Sequence, residues 1–264
     1  MAQIVGTGSF VSWDGACLLV GRAAGITPHH AHYALQIGFG SAPGIRFRPR
    51  ENDEWTAYDG AMIPSRQPHA MDATVVPSNA VLFVEPETRE GRAITARYLQ
   101  GGIVPMPADV YETAVPALFD AWQRVGTASA IIAAGQRVVE SLAGESWTVE
   151  VSDERILRAM AHIKAHLGDS LTLETVAAEA FLSPSRFRHL FVEQTGVSFR
   201  SYLLWRRFIR VWEILSAGGS LSTAAHEAGF ADAAHLSRTS RQMFGFPPSA
   251  LQVANRLRPE EDAR

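Results

Sequence analysis

Three histidines and a glutamine carry the first chemically suggestive spacing in this chain. In "HHAHYALQ", His30 and His32 occupy alternate positions, and Gln36 follows four residues later. Alternate residues of a strand point to one side. "GAMIPSRQPH" then brings His69 after a turn at Pro64. A strand pair could gather His30, His32 and His69 in one pocket, and three imidazoles are a donor set for a divalent metal. No carboxylate nearby completes the set, so neither a metal nor another cofactor is expected. Polar pocket lining and simple surface histidines are the readings favoured over a metal site. No nucleophile stands beside a base in a catalytic pattern, so the chain is not expected to be an enzyme.

The second suggestive pattern is a repeated pair of short helices bearing arginine. In "AAHEAGFADAAHLSRTSRQMFGFPPSAL" (224–251) Ser222 can cap a helix running to about Ala228, and Gly229 makes the turn. Asp232 caps a helix from Ala233 to Phe244 with Leu236 and Met243 inward. Ala234, His235, Arg238, Thr239, Arg241 and Gln242 are left outside. About fifty residues earlier, "LTLETVAAEAFLSPSRFRHLFVEQTG" (171–196) has the same design. Thr172 caps a helix from Leu173 to about Ala180. Ser183 caps the next, with Pro184 at its first position, and Gly196 ends it. Phe187, Leu190 and Phe191 point inward, leaving Ser185, Arg186 and His189 outward with Arg188 beside them. Such a helix fits the major groove, where arginine reads guanine bidentately and further arginines hold phosphate.

The elements that must position these groups divide the chain in two. Its 264 residues are 47% hydrophobic, enough for a large core. Residues 1–152 carry 10 Lys/Arg and 15 Asp/Glu, a net of -5. Residues 153–258 carry 13 and 9, a net of +4. An acidic front and a basic back suit different partners. Cys17 is the single cysteine, which excludes an intrachain disulfide and a thiolate metal cluster. No signal pattern and no run of ~18 apolar residues is present, so a cytoplasmic protein without membrane contact is expected.

Residues 8–84 read as short antiparallel strands punctuated by Gly, Pro, Asn and Asp. Helices are predicted at 88–100, 115–125 and 128–142. Ile131, Ile132, Ala134, Val138, Val139 and Leu142 form an apolar stripe on the last. That stripe packs either on the strands or on a second subunit. Residues 143–153 read as a linker, and 153–167 as a further helix ended by Gly168. A long helix, about 198–216, joins the two arginine-bearing units. It is apolar around much of its circumference, with Arg206, Arg207 and Arg210 interleaved. Those arginines can lie over apolar neighbours and can touch phosphate, and neither role excludes the other. At about 1.5 Å per residue this helix spans about 28 Å. Two reading helices could then sit near one groove repeat, about 34 Å apart.

Residues 153–257 resemble the DNA-binding domain of the AraC/XylS family of bacterial transcription regulators. "LTLETVAAEAFLSPSRFRHLF" with "TGVSFRSYLLWRRFIRVWEIL" and the second unit's run from Ala224 to Leu251 carry the resemblance. It implies reading helices at 184–194 and 233–244, within helix-turn-helix units 173–194 and 223–244. By position in the pattern, Ser185, Arg186, His189, Ala234, His235 and Arg238 would contact bases. Arg188, Arg206, Arg207, Thr239 and Arg241 would contact phosphates. Leu236, Thr239 and the bulky turn residue Phe181 depart from the family pattern.

More loosely, the front half resembles cupin-like sensor domains, with Gln36 where the metal-binding form has glutamate and Arg66 where it has glycine. The resemblance implies a mainly-β cupin-like barrel with following helices (1–142), a linker (143–152), an all-α tandem helix-turn-helix domain (153–257) and a flexible tail (258–264). It also implies an effector pocket at His30, His32, Gln36 and His69 and dimerisation through Ile131, Val138 and Leu142. The expected function is a transcription activator, responding to a small-molecule effector. Its partners would be double-stranded DNA, a second copy of the chain in a homodimer, and RNA polymerase. A cupin-type metalloenzyme with a helical appendage and a regulator whose front domain only dimerises are the alternatives.

Overall fold

The computed structural model describes residues 8–22, 25–145 and 151–252. Ten antiparallel-paired strands build the front half: β1 (Gly8–Trp13), β2 (Ala16–Arg22), β3 (Ile26–His30), β4 (Leu35–Gly40), β5 (Ile45–Arg48), β6 (Thr56–Tyr58), β7 (Gly60–Ile63), β8 (His69–Asp72), β9 (Ser78–Val84) and β10 (Val104–Pro105). One sheet has the order β1-β2-β9-β4-β7-β10 and the other β3-β8-β5-β6. β9 lies inside the larger sheet and is buried along its whole length. That explains why "AVLFV" reads as a continuous apolar run rather than an alternating one.

The expected cupin-like barrel is not what forms. The two sheets share no ladder, so they stand as an open pair instead of closing on themselves. Helices cover edges that strand pairing would seal in a barrel. Two helices pack against β1, and a helix of the second unit packs against β3. A covered edge is protected from further pairing without closure.

Three helices follow β9, with β10 between the first two: α1 (Arg89–Tyr98), α2 (Ala108–Asp120) and α3 (Ala128–Ala143). α2 starts earlier than its apolar pattern suggests, and runs on into a π-helical turn at Ala121–Val125. On α3, Ile131, Val138 and Leu142 are fully buried in one core with Leu18, Val20 and Leu82 of the strands. Trp13 lies so close that a Cβ on Gly135 would meet its ring at 2.8 Å. The stripe therefore packs on its own strands. Ile131, Val138 and Leu142 are not available to a second subunit, contrary to the dimerisation expected of them.

The second unit is all-helical: α4 (Glu154–Ala165), α5 (Leu173–Glu179), α6 (Pro184–Thr195), α7 (Phe199–Ser216), α8 (Leu221–Glu227), α9 (Ala233–Phe244) and α10 (Ser249–Gln252). Side chains of Asp153, Thr172, Ser183, Ser198, Ser220 and Asp232 cap the first six of these in turn. Ser220, not Ser222, caps α8, because the chain is free to turn immediately after Gly218 and Gly219. α4 stops at Ala165, ahead of Gly168. The expected linker lies partly, and the expected tail wholly, outside the described residues.

α7 explains its own composition. Trp205 and Trp212 are fully buried, and both pack on Phe83 of β9, with ring centroids 5.6 and 5.8 Å away. Phe10 of β1 meets Trp212 at 5.6 Å. α7 is thus apolar most of the way round because it packs on the front sheet as well as on its neighbouring helices. One continuous apolar core runs through both units.

Candidate DNA-reading helices and histidine cluster

The two predicted reading helices form with the boundaries their caps dictate. On α6, the Ser183 hydroxyl accepts from Arg186 N, Pro184 takes the first turn, and Gly196 closes the helix at φ 75°. On α9, the Asp232 carboxylate accepts from His235 N at 2.6 Å, and Gly245 closes the helix at the same φ. Ser185, Arg186, Arg188 and His189 are exposed on α6; Ala234, His235, Arg238 and Arg241 are exposed on α9. Thr239 is half-buried, and its hydroxyl donates to His235 O. The turn between α8 and α9 needs glycine. Gly229 sits at φ 72°, and a Cβ there would lie 2.4 Å from Leu167 O. The equivalent turn of the first unit places Phe181 at φ 54°. Its ring is 81% exposed, under the Arg158 guanidinium at 5.1 Å.

Two of the arginines expected at phosphate face inward. Arg206 Nη1 lies 2.5 Å from Glu85 Oε1, and the two side chains are 15% and 5% exposed. Burial lowers the Arg206 pKa, but the charge of Glu85 outweighs it and leaves the guanidinium above its ordinary value. Arg207 lies against the Gly229 turn with its Nε enclosed, and burial lowers its pKa. Arg206 is therefore an inter-unit ion pair, and Arg207 part of a turn seam.

Glu85 anchors the seam between the units. It also accepts from Trp205 Nε1 at 3.1 Å. Beside it Glu87 accepts from the Tyr33 hydroxyl, and burial, then the charge of Glu85, pushes the Glu87 carboxyl up to about 8. Arg92 of α1 donates to Gln194 O, at the C-terminal end of α6. Ser12 donates to Glu213 at 3.0 Å, and Lys164 pairs with Asp14 at 2.7 Å.

The front-half histidines are brought together, but not around an open pocket. His30, His32, Gln36 and His69 are 7%, 3%, 2% and 0% exposed. β3 pairs with β8 so that His30 stands opposite His69. Each Nδ1 faces a backbone carbonyl: Pro28 for His30, Ala34 for His32 and Gln67 for His69, at 2.8–2.9 Å. The Nε2 atoms of His32 and His69 both face Gln36 Oε1, at 2.9 and 3.2 Å. Burial, then the neighbouring His32, pushes His30 down to about 3. Burial takes His32 to about 4, and burial with the neighbouring His30 takes His69 well below its ordinary value. All three rings are thus neutral at pH 7. Arg66, in the glycine position of the motif, takes φ 62°, so the turn keeps the left-handed backbone that glycine would adopt freely. The lid of the cluster comes from the other unit: Phe244 of α9 stacks on His32 at 6.1 Å and 18°.

A model of the helix-turn-helix domain matches residues 176–253. Over 101 residues the chain is 31% identical to the regulatory protein PocR of Salmonella typhimurium, and over 103 residues 34% identical to the arabinose operon regulatory protein of Escherichia coli. Each match covers 38% of this chain and 33% or 35% of the relative. The matched part is thus about a third of those proteins' length. Both relatives are named as regulatory proteins. The whole fold is similar to crystal structures of ToxT from Vibrio cholerae. An apo form gives a TM-score of 0.58 at 10% identity, covering 93% of this chain and 100% of that one. A form bound to an unsaturated fatty acid gives 0.54 at 12% identity, with 94% and 99% covered.

The helix-turn-helix match spans α6 and α9. It does not account for Glu85, Glu87, Tyr33 and Arg92, which sequence reasoning missed. A signal was available: "FVEPE" sets two carboxylates directly after the most apolar strand, where burial is hard to avoid. Among the described residues no helix is long and apolar enough to cross a membrane.

Proposed function

We propose that the chain is a sequence-specific transcription regulator that reads two segments of double-stranded DNA through α6 and α9, and that its front half, within 1–142, transmits a ligand signal to the DNA-binding unit within 153–257. The observation that carries this reading is an asymmetry within each reading helix. The N-terminal residues are exposed and bear arginine. The C-terminal ends are held by the front half, α6 through Arg92 and Gln194 O, α9 through Phe244 on His32. A ligand with different affinity for two arrangements of that seam would shift where the helices lie.

In this reading Ser185, Arg186 and His189 of α6 and Ala234, His235 and Arg238 of α9 meet base edges. Arg188, Thr239 and Arg241 meet phosphates. Activation is proposed on likeness to the HTH-type transcriptional activator RhaS of Enterobacter sp., 28% identical over 105 residues, and the ligand-bound ToxT form offers a precedent for a small ligand in this fold.

The test is selection of genomic fragments by the purified full-length protein, followed by affinity on the enriched site at several salt concentrations. Enrichment of a motif with two segments about one helical turn apart supports the reading. Equal, steeply salt-dependent binding to every fragment, with and without the front half, refutes base reading.

A further inference from the structure

Phe181 sits where stability alone would not keep it. The turns of the two helix-turn-helix units share their backbone hydrogen bonds. Phe181 N donates to Ala178 O and Leu182 N to Ala177 O, just as Gly229 N donates to His226 O and Phe230 N to Ala225 O. Phe181 therefore fills the slot that glycine fills in the second unit, at φ 54° against 72°. There an L side chain crowds its own backbone, and a bulky aromatic one is an outlier. Packing does not offset the strain. The ring is 81% exposed, the most of any large apolar side chain among the described residues. A strained backbone carrying an unburied ring points to a partner outside the fold.

The surroundings say which partner. Phe181 lies two residues ahead of Ser183, the cap of α6, and Ser183, Pro184, Ser185 and Arg186 are all exposed. The ring thus belongs to the end of α6 that meets bases in the proposed function. Arg158 of α4 is exposed and stands over one face of the ring, 5.1 Å from its centroid. Arg158, Arg186 and Arg188 make no ion pair among the described residues. Guanidinium groups without counter-charge beside an apolar ring suit a polyanion that also offers apolar surface. Duplex DNA offers both, phosphate for the arginines and thymine methyl or deoxyribose for the ring. We propose that Phe181 is a further DNA contact of the first unit, its ring lying on the apolar edge of the duplex beside the segment read by α6, with Arg158 on the adjoining phosphate. The inference rests on the DNA reading proposed above. Arg158 holds the ring by one face and leaves the other free. The second unit cannot copy the device, because Leu167 O closes the space a Cβ on Gly229 would need. The two DNA segments are therefore not read alike, which gives the bound chain a direction.

Full-length wild type, Phe181→Gly, Phe181→Asn, Arg158→Ala and Arg186→Ala are compared on two duplexes: the fragment enriched by the wild type and a scrambled duplex of the same composition. Phe181→Gly should unfold in urea no earlier than the wild type, because glycine takes positive φ freely. Earlier unfolding means that the ring supports the fold and overturns the proposal. The same variant should bind the enriched fragment about tenfold more weakly, the lower end of what burying an aromatic side chain contributes. Phe181→Asn, a residue type that also tolerates the turn, should lose as much. Arg158→Ala should reduce the slope of log affinity against log salt by about 0.9, and an unchanged slope removes the phosphate contact. Loss confined to the enriched fragment, and reproduced in the wild type when deoxyuridine replaces thymidine in the α6 segment, assigns the ring to a thymine methyl. Equal loss on both duplexes, with no effect of deoxyuridine, assigns it to deoxyribose. Undiminished affinity of Phe181→Gly, where Arg186→Ala binds weakly, overturns the contact alone and leaves the ring to a protein partner. Undiminished affinity of both variants overturns base reading through α6 itself.

Discussion

Glu85→Ala is the most informative single change, because the cost of the missing carboxylate falls on the contact between the two units. Glu85 is 4% exposed and its Oε1 accepts from both Arg206 and Trp205. Removing it leaves a guanidinium enclosed without a counter-charge, and the Arg206 Nε is already without a partner. Breaking a buried pair from one side costs about 3–5 kcal/mol. The loss is relieved if α7 leaves the front sheet and Arg206 reaches water. Two-thirds or more of the penalty should therefore appear as weaker docking, read as lost hydrogen-exchange protection across β9 and α7 at denaturant concentrations where each unit remains folded.

Lys164→Ala provides the scale. Its partner Asp14 is 89% exposed, and such pairs contribute about 0–1 kcal/mol. The double variant Glu85→Leu with Arg206→Met should recover most of the single variant's loss, since an apolar pair of similar volume avoids desolvation. A Glu85→Ala loss below about 1 kcal/mol, or a double variant no better than the single, would refute the assignment of this pair as the inter-unit clasp.

Three further outcomes are expected. Arg238→Ala should cost about 1–3 kcal/mol on the selected site and relax preference at one or two base pairs, measured by competition between variant sites; equal loss on all sequences would make Arg238 a phosphate contact instead. The Glu87 carboxyl is raised from 4.5 to about 8 in the folded chain, so its neutral form is favoured by folding. Stability from this group is complete below about pH 4.5 and is lost as pH rises to about 8. Glu87→Gln should flatten that decline in urea unfolding, and an unchanged pH slope would count against a protonated Glu87. Gly229→Ala combines a left-handed backbone, at about 1–2 kcal/mol, with a Cβ forced onto Leu167 O, at about 1–3 kcal/mol. Thermal unfolding should show a loss of about 2–5 kcal/mol, and a loss under 1 kcal/mol would mean that the turn relaxes.

The tandem helix-turn-helix unit was legible because its signals are local. Thr172, Ser183 and Asp232 cap helices through amides three residues ahead, and Gly196 and Gly229 end or turn the chain at positive φ. Each fits within a few residues of sequence, and together they set α5, α6, α8 and α9 with their outward faces. β-Rich texture was equally local, as alternation and turn residues mark strands without naming their partners.

What the tertiary structure decided depends on residues far apart in the chain. Sheet closure depends on which edges meet, and here helices lie where strands would have to pair. The stripe of Ile131, Val138 and Leu142 showed that α3 has an apolar face, but its partner was settled only by packing on the front strands. Arg206 belongs to Glu85, 121 residues away, so no window of periodicity could separate a phosphate contact from a buried clasp. The three histidines were visible in the sequence. That their Nδ1 atoms are tied to carbonyls, and that Phe244 covers them, follows from strand register and from where α9 docks. Local geometry is written in neighbouring side chains; burial, charge pairing and the meeting of distant donors are set only when the whole chain packs.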